Sequence, residues 1–264
     1  MNQSTPIESS YQVVPIGKVI SPFKQKFTVP RQPRLLSLAK GYIELFKPFD
    51  DLHALSSLAD FSHIWVLFWF HLNPENKSAS FEQYKWQPMV RPPRLGGKEK
   101  VGVFASRSPF RPNPIGMSVY KLDGIEKNSK GIKIHINGID VVDGTPVIDI
   151  KPYIPFSDSV TDAKGGFAQD IPVMPFNVIF SDKALAELYH LAKNQGHSES
   201  YAKEVEQFIL QVLSQDARPS YHQNKMNVDM SKKQYGVDLL EYNIKWLLDE
   251  NQVIITDVSL TKNR

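Results

Sequence analysis

The sequence predicts a mainly β protein: an antiparallel β-barrel over residues 1–160, followed by a smaller C-terminal α+β domain over residues 161–264. Three observations carry that prediction. The first 155 residues, roughly, break into short apolar runs separated by proline and glycine, the punctuation of strands. Helical periodicity is scarce there, which favours a closed barrel over a parallel sheet whose strands alternate with helices. After "DIKPYIPFSDSVTDAKGGFAQDIPVMPF", a linker or surface excursion without apolar period, the pattern changes to amphipathic helices and a terminal strand pair.

In order, strands are expected at Val13–Ile20, Gly41–Phe46, His63–Phe70, Val101–Phe104, Ile115–Ile125, Gly131–Ile139 and Pro146–Lys151, with one helix at Asp51–Leu58. Beyond the excursion, Leu185, Leu188, Tyr189 and Ala192 share a helical face, with Ser181 as N-cap and Gly196 as stop. Tyr201, Val205, Phe208, Ile209, Val212 and Leu213 make a second face. "DARPSY", residues 216–221, ends that helix, because Pro219 cannot continue it. Tyr235–Leu247 and Val253–Leu260 read as the closing strand pair.

Composition narrows the chemistry. The chain has 41% apolar and 22% charged residues, as ordinary globular proteins do, and a net charge of +3, which permits a nucleic-acid partner without requiring one. With no cysteine, disulfides, thiolate metal sites and cysteine nucleophiles are excluded; the seven histidines show no metal-ligand spacing, so no metal is expected. The N-terminus lacks the charged and apolar regions of a signal peptide. The longest apolar run, Ile64 to Phe70, is far short of the ~20 residues that span a bilayer. A soluble, cytoplasmic protein is expected. GxGxxG, GxxxxGK[ST] and GxSxG are all absent, which argues against Rossmann, P-loop and nucleophile-elbow sites.

Three polar clusters interrupt the apolar strands: "KFTVPRQPRL" at 26–35, the stretch at 105–116, and "VVDGTPVIDIKPY" at 141–153. In the second, Pro109, Pro112 and Pro114 stiffen the backbone and hold Arg107 and Arg111 ready for an anion. Each cluster alone reads equally well as a connecting loop. Three such loops on one barrel can converge at one end to make a pocket.

"FASRSPFRPNPIGMS", with "VPRQPRL", "RPPRLGG" and "DGTPVIDIKPYIPFSDS", resembles the TsaA-like family, which includes the TrmO tRNA methyltransferases; "SQDARPSYH" and "YGVDLLEYNIKW" resemble its C-terminal portion. The resemblance implies a β-barrel methyltransferase that uses S-adenosylmethionine and works as a homodimer with the cofactor at the subunit boundary. It further implies methylation of N6 of threonylcarbamoyladenosine beside the anticodon of threonine tRNA. Matching motifs put cofactor contacts on Arg31, Gln32, Pro33, His71, Arg107, Met117, Ser118, Asp143, Gly144, Thr145 and Pro146. For catalysis, the helix that ends at "DARPSY" is expected to deliver Asp216 as proton acceptor, Arg218 as holder of the threonine carboxylate and Tyr221 as a stacking ring. His71, Tyr221 and the substrate's own carboxylate remain alternative bases. Arg111 and Arg94 are further anion candidates, and Lys98, Lys100, Lys127, Lys130 and Lys133 a phosphate-facing side. The competing readings are a non-catalytic module for RNA or an adenosine ligand, and a metal-dependent hydrolase using His63 or His71.

Overall fold

The computed structural model describes residues 12–72, 87–218 and 233–261. Six strands close an antiparallel barrel in the order β1-β2-β7-β6-β3-β8. They are β1 (Gly17–Ile20), β2 (Lys40–Leu45), β3 (His63–Trp69), β6 (Ile115–Asn128), β7 (Gly131–Asn137) and β8 (Thr145–Pro152). Period-two alternation explains the closure. Ile64, Val66 and Phe68 of β3 and Ile132, Ile134 and Ile136 of β7 are buried inside, while Trp65, Leu67 and Trp69 face outward. Gly116 lies opposite Phe68, and a Cβ there would come within 2.2 Å of the phenyl ring. Only glycine lets Phe68 fill that corner.

The second part is a four-stranded sheet, β10 (Gln234–Leu239), β11 (Tyr242–Asp249), β12 (Gln252–Leu260) and β9 (Asn177–Phe180), with β9 parallel to β12. Helices α2 (Asp182–Asn194) and α3 (Glu199–Ser214) accompany it. Ser181 Oγ accepts from the Ala184 amide at 3.2 Å, so the expected N-cap forms. Barrel and sheet share one apolar core. Phe23 of the loop after β1 packs on Phe208 of α3, with ring centroids 5.8 Å apart, and bridges to Leu239.

Four expectations about elements change. Of Val101–Phe104, only β5 (Val101–Gly102) is strand; it pairs with β4 (Met89–Val90) in a separate ribbon, and the chain then turns as Ser106 Oγ bonds back to the Val103 carbonyl. The helix at Asp51–Leu58 is two 3-10 turns, His53–Leu55 and Leu58–Asp60, separated by Ser57 at φ +63°. No residue of either turn is fully buried; Leu55 and Leu58 pack half-buried against the core, too narrow a contact to hold a longer helix. Tyr235–Leu247 is two strands, folded at Leu240 (φ +54°). Strand β9 lies just beyond the linker-like excursion, where no strand is expected. A four-residue helix, α1 (Pro155–Asp158), docks on the barrel, where Asp158 accepts from Trp65 Nε1 at 2.9 Å.

Candidate active site

The three polar clusters follow β1, precede β6 and join β7 to β8. Because neighbouring strands run antiparallel, all three loops emerge at one end of the barrel. There they enclose a cavity of about 200 Å³. Lys26 and Val29 come from the first loop, Phe70, His71 and Leu72 from the end of β3, and Pro109 from the proline-rich loop. Asp140, Val141, Val142 and Thr145 complete the wall.

Asp140 was not singled out from the sequence. Its carboxylate accepts from Tyr120 Oη at 2.7 Å and from Ser118 Oγ at 3.1 Å, both carried on the inner face of β6. Burial pushes its pKa up to about 6, opposed by these two donors and by the nearby Arg107 charge. Burial and Asp140 together push the Tyr120 phenol well up, so that it stays a neutral donor. His71 is held below its ordinary value by burial and by Lys26. The one available signal for Asp140 is a lone acid inside the apolar run Ile139–Val142.

The expected cofactor residues separate into groups. His71 and Thr145 line the cavity, and Ser118 reaches it through Asp140. Arg107 Nη1 donates to Gln32 Oε1 at 2.5 Å, which ties the first loop to the second, with Arg31 and Pro33 flanking the contact in the chain. Asp143 accepts from the Ser21 amide at 2.8 Å and from Lys24 Nζ at 2.7 Å, and Gly144, at φ +76°, donates to the Val19 carbonyl. These are loop-closing contacts. Met117 is 53% exposed on the outer wall, and Pro146 faces away from the interior, opposite Lys18.

Among the expected catalytic residues, Arg218 forks onto Asp216, with both nitrogen–oxygen distances 2.7 Å, and lies over the Phe176 ring. Asp216 also acts electrostatically on Arg31, so "DAR" meets the first loop. Tyr221 lies outside the described residues. Arg111 braces its own loop by donating to the Ser106 carbonyl at 2.9 Å, and Arg94 latches onto the Phe167 and Asp170 carbonyls. Among the described residues no three His, Asp or Glu side chains gather as metal ligands.

A closed six-stranded antiparallel barrel with a cavity at its loop end is the architecture here, and family comparison places it among β-barrel tRNA methyltransferases. The profile of the tRNA-methyltransferase O N-terminal domain matches residues 18–159, and that of the TrmO C-terminal domain matches residues 174–261. The chain belongs to the TrmO family. It is 41% identical over 238 residues to the tRNA (adenine(37)-N6)-methyltransferase of Escherichia coli K12, covering 90% of this chain and 93% of that protein. The human protein of the same name is 42% identical over 147 residues, 55% of this chain and 30% of its own length. The crystal structure of TrmO from Pseudomonas aeruginosa superposes with a TM-score of 0.73 at 34% identity, covering 95% of this chain and 99% of that one.

Proposed function

We propose that the protein is an S-adenosylmethionine-dependent tRNA methyltransferase acting on N6 of adenosine 37, with the threonylcarbamoylated base of threonine tRNA as acceptor. The acid-bearing cavity at the loop end, in a chain 41% identical to a tRNA (adenine(37)-N6)-methyltransferase, carries this reading. The cavity's donor set fits S-adenosylmethionine. Asp140 suits its positive charge, Lys26 its carboxylate, and Phe70, Val29 and Val141 its apolar surface. The cofactor supplies an electrophilic methyl group on a sulfonium.

The acceptor N6 shares its lone pair with the purine and the carbamoyl group, so its proton must leave as the bond to carbon forms. With Asp140 facing the donor's positive charge, His71, which burial and Lys26 hold toward its neutral form, is the titratable proton acceptor left in the described cavity wall. Asp216 is already engaged by Arg218. Holding donor and acceptor in line is the larger contribution, and the Gln32–Arg107 tie fixes two of the three loops for it.

A second copy of the chain completes the site in this reading. The cavity of about 200 Å³ is below the ~300–1,000 Å³ usual for ligand pockets. The outer wall beside it exposes Phe104 (71%), Met117 (53%), Phe110 and Ile115, an apolar face suited to a two-fold contact. Sedimentation should give about twice the 30.0 kDa chain mass; an active monomer would remove this part. Residues 1–160 would then hold the donor, with 161–264 supporting the first loop and the RNA. A cytoplasmic location suits a tRNA substrate, and no described helix is long and apolar enough to cross a membrane.

The test compares modified nucleosides of tRNA from cells with and without the protein. N6-methylated threonylcarbamoyladenosine should vanish without it. Its persistence would leave only a binding module.

A further inference from the structure

We propose that Asp140 is the carboxylate that holds the cationic end of the methyl donor, so that the charge state of this one residue sets donor affinity. The inference rests on the reading that S-adenosylmethionine occupies this cavity.

Asp140 is the acidic residue among those lining the cavity. Its two oxygens each accept one hydrogen bond, from Tyr120 and from Ser118, which fixes the carboxylate plane. Each oxygen retains capacity for a further partner. The surrounding wall is largely apolar, through Val29, Phe70, Pro109, Val141 and Val142, so a positive charge placed there meets little competing water. A sulfonium has no hydrogen to donate, and a nearby negative charge is its natural complement.

The neighbours do not cancel that charge. Tyr120 and Ser118 on β6 are neutral donors. Arg107 acts on Asp140 from a distance and has its own hydrogen bond to Gln32. Lys26 and His71 also line the cavity; Lys26 donates to the Leu72 carbonyl at 2.6 Å, and burial together with Lys26 keeps His71 toward its neutral form. Asp140 therefore ionises within an accessible range, near pH 6.

Calorimetry on the full chain tests this with S-adenosylmethionine and S-adenosylhomocysteine between pH 5 and pH 8. Wild-type affinity for S-adenosylmethionine should fall about tenfold from pH 7 to pH 5, as one pH unit below the carboxyl's midpoint requires. Asp140→Asn should weaken binding at pH 7.5 at least about tenfold and flatten the profile. Tyr120→Phe keeps the carboxylate but removes a donor that favours ionisation, so its midpoint should move upward. His71→Asn should keep the wild-type midpoint. Loss for S-adenosylmethionine alone puts the sulfonium at Asp140, and equal loss for both ligands puts the shared ammonium there; either supports the proposal. Parental affinity in Asp140→Asn, or a wild-type profile flat with pH, overturns it while leaving the cofactor reading intact. A wild-type protein that binds neither ligand overturns both.

Discussion

Replacing Asp140 with asparagine should make the fold more stable at pH 8. The folded carboxyl ionises at about 6, against an ordinary value of 3.8. Between those values the folded state binds more protons than the unfolded one, so stability falls as pH rises through this window. The two-unit displacement corresponds to a loss of about 3 kcal/mol, fully present above pH 6 and absent below pH 4. Asparagine is neutral throughout and keeps one acceptor for Tyr120 or Ser118; the charge-assisted hydrogen bonds of the carboxylate are already counted in its net displacement. Relative to the parent, the variant should therefore gain about 3 kcal/mol in stability between pH 4 and pH 8. Urea unfolding from pH 4 to pH 8, read as the midpoint difference at constant slope, isolates this group because all others cancel. A difference that does not change with pH would refute the assigned environment of Asp140.

Arg218→Ala removes the forked partner of Asp216, whose side chain is 22% exposed and which also acts on Arg31. It should cost about 2 kcal/mol, less than the 3–5 typical of a fully buried pair; an unchanged urea midpoint with methylation lost would make Arg218 a substrate contact only. Gly116→Ala drives a methyl into the Phe68 ring, which meets Phe70 of the cavity wall edge-on at 5.3 Å. Melting should drop by the equivalent of about 1–3 kcal/mol with donor affinity weakened, and a parental melting temperature would show that Phe68 can move aside.

The barrel was legible because its strands alternate strictly, as in Ile64, Val66 and Phe68, and because prolines mark where ladders end. The convergence of three loops was legible as well, since antiparallel order sends them to the same end. Strand β9 was not, because four residues beside prolines carry no period, and its partner β12 lies over seventy positions away. The turn at Leu240 lacks the glycine or asparagine that usually signals a left-handed residue. Asp143 drew attention through its Asp-Gly turn signal, but its carboxylate closes the loop onto Ser21 and Lys24. Asp140 escaped notice because its partners, Ser118 and Tyr120, are 22 and 20 positions distant. Arg111 and Arg94 looked like anion holders because a spacing of charges does not reveal that loop carbonyls already accept from them.

The most direct test of the central claim uses purified protein, methyl-labelled S-adenosylmethionine, and tRNA prepared from cells that lack the protein. Threonine tRNA bearing threonylcarbamoyladenosine at position 37 should take up label, recovered after digestion as the N6-methylated nucleoside. The same tRNA without the threonylcarbamoyl group should take up far less. Binding of the cofactor with no label transferred to adenosine 37 of any tRNA would contradict the account.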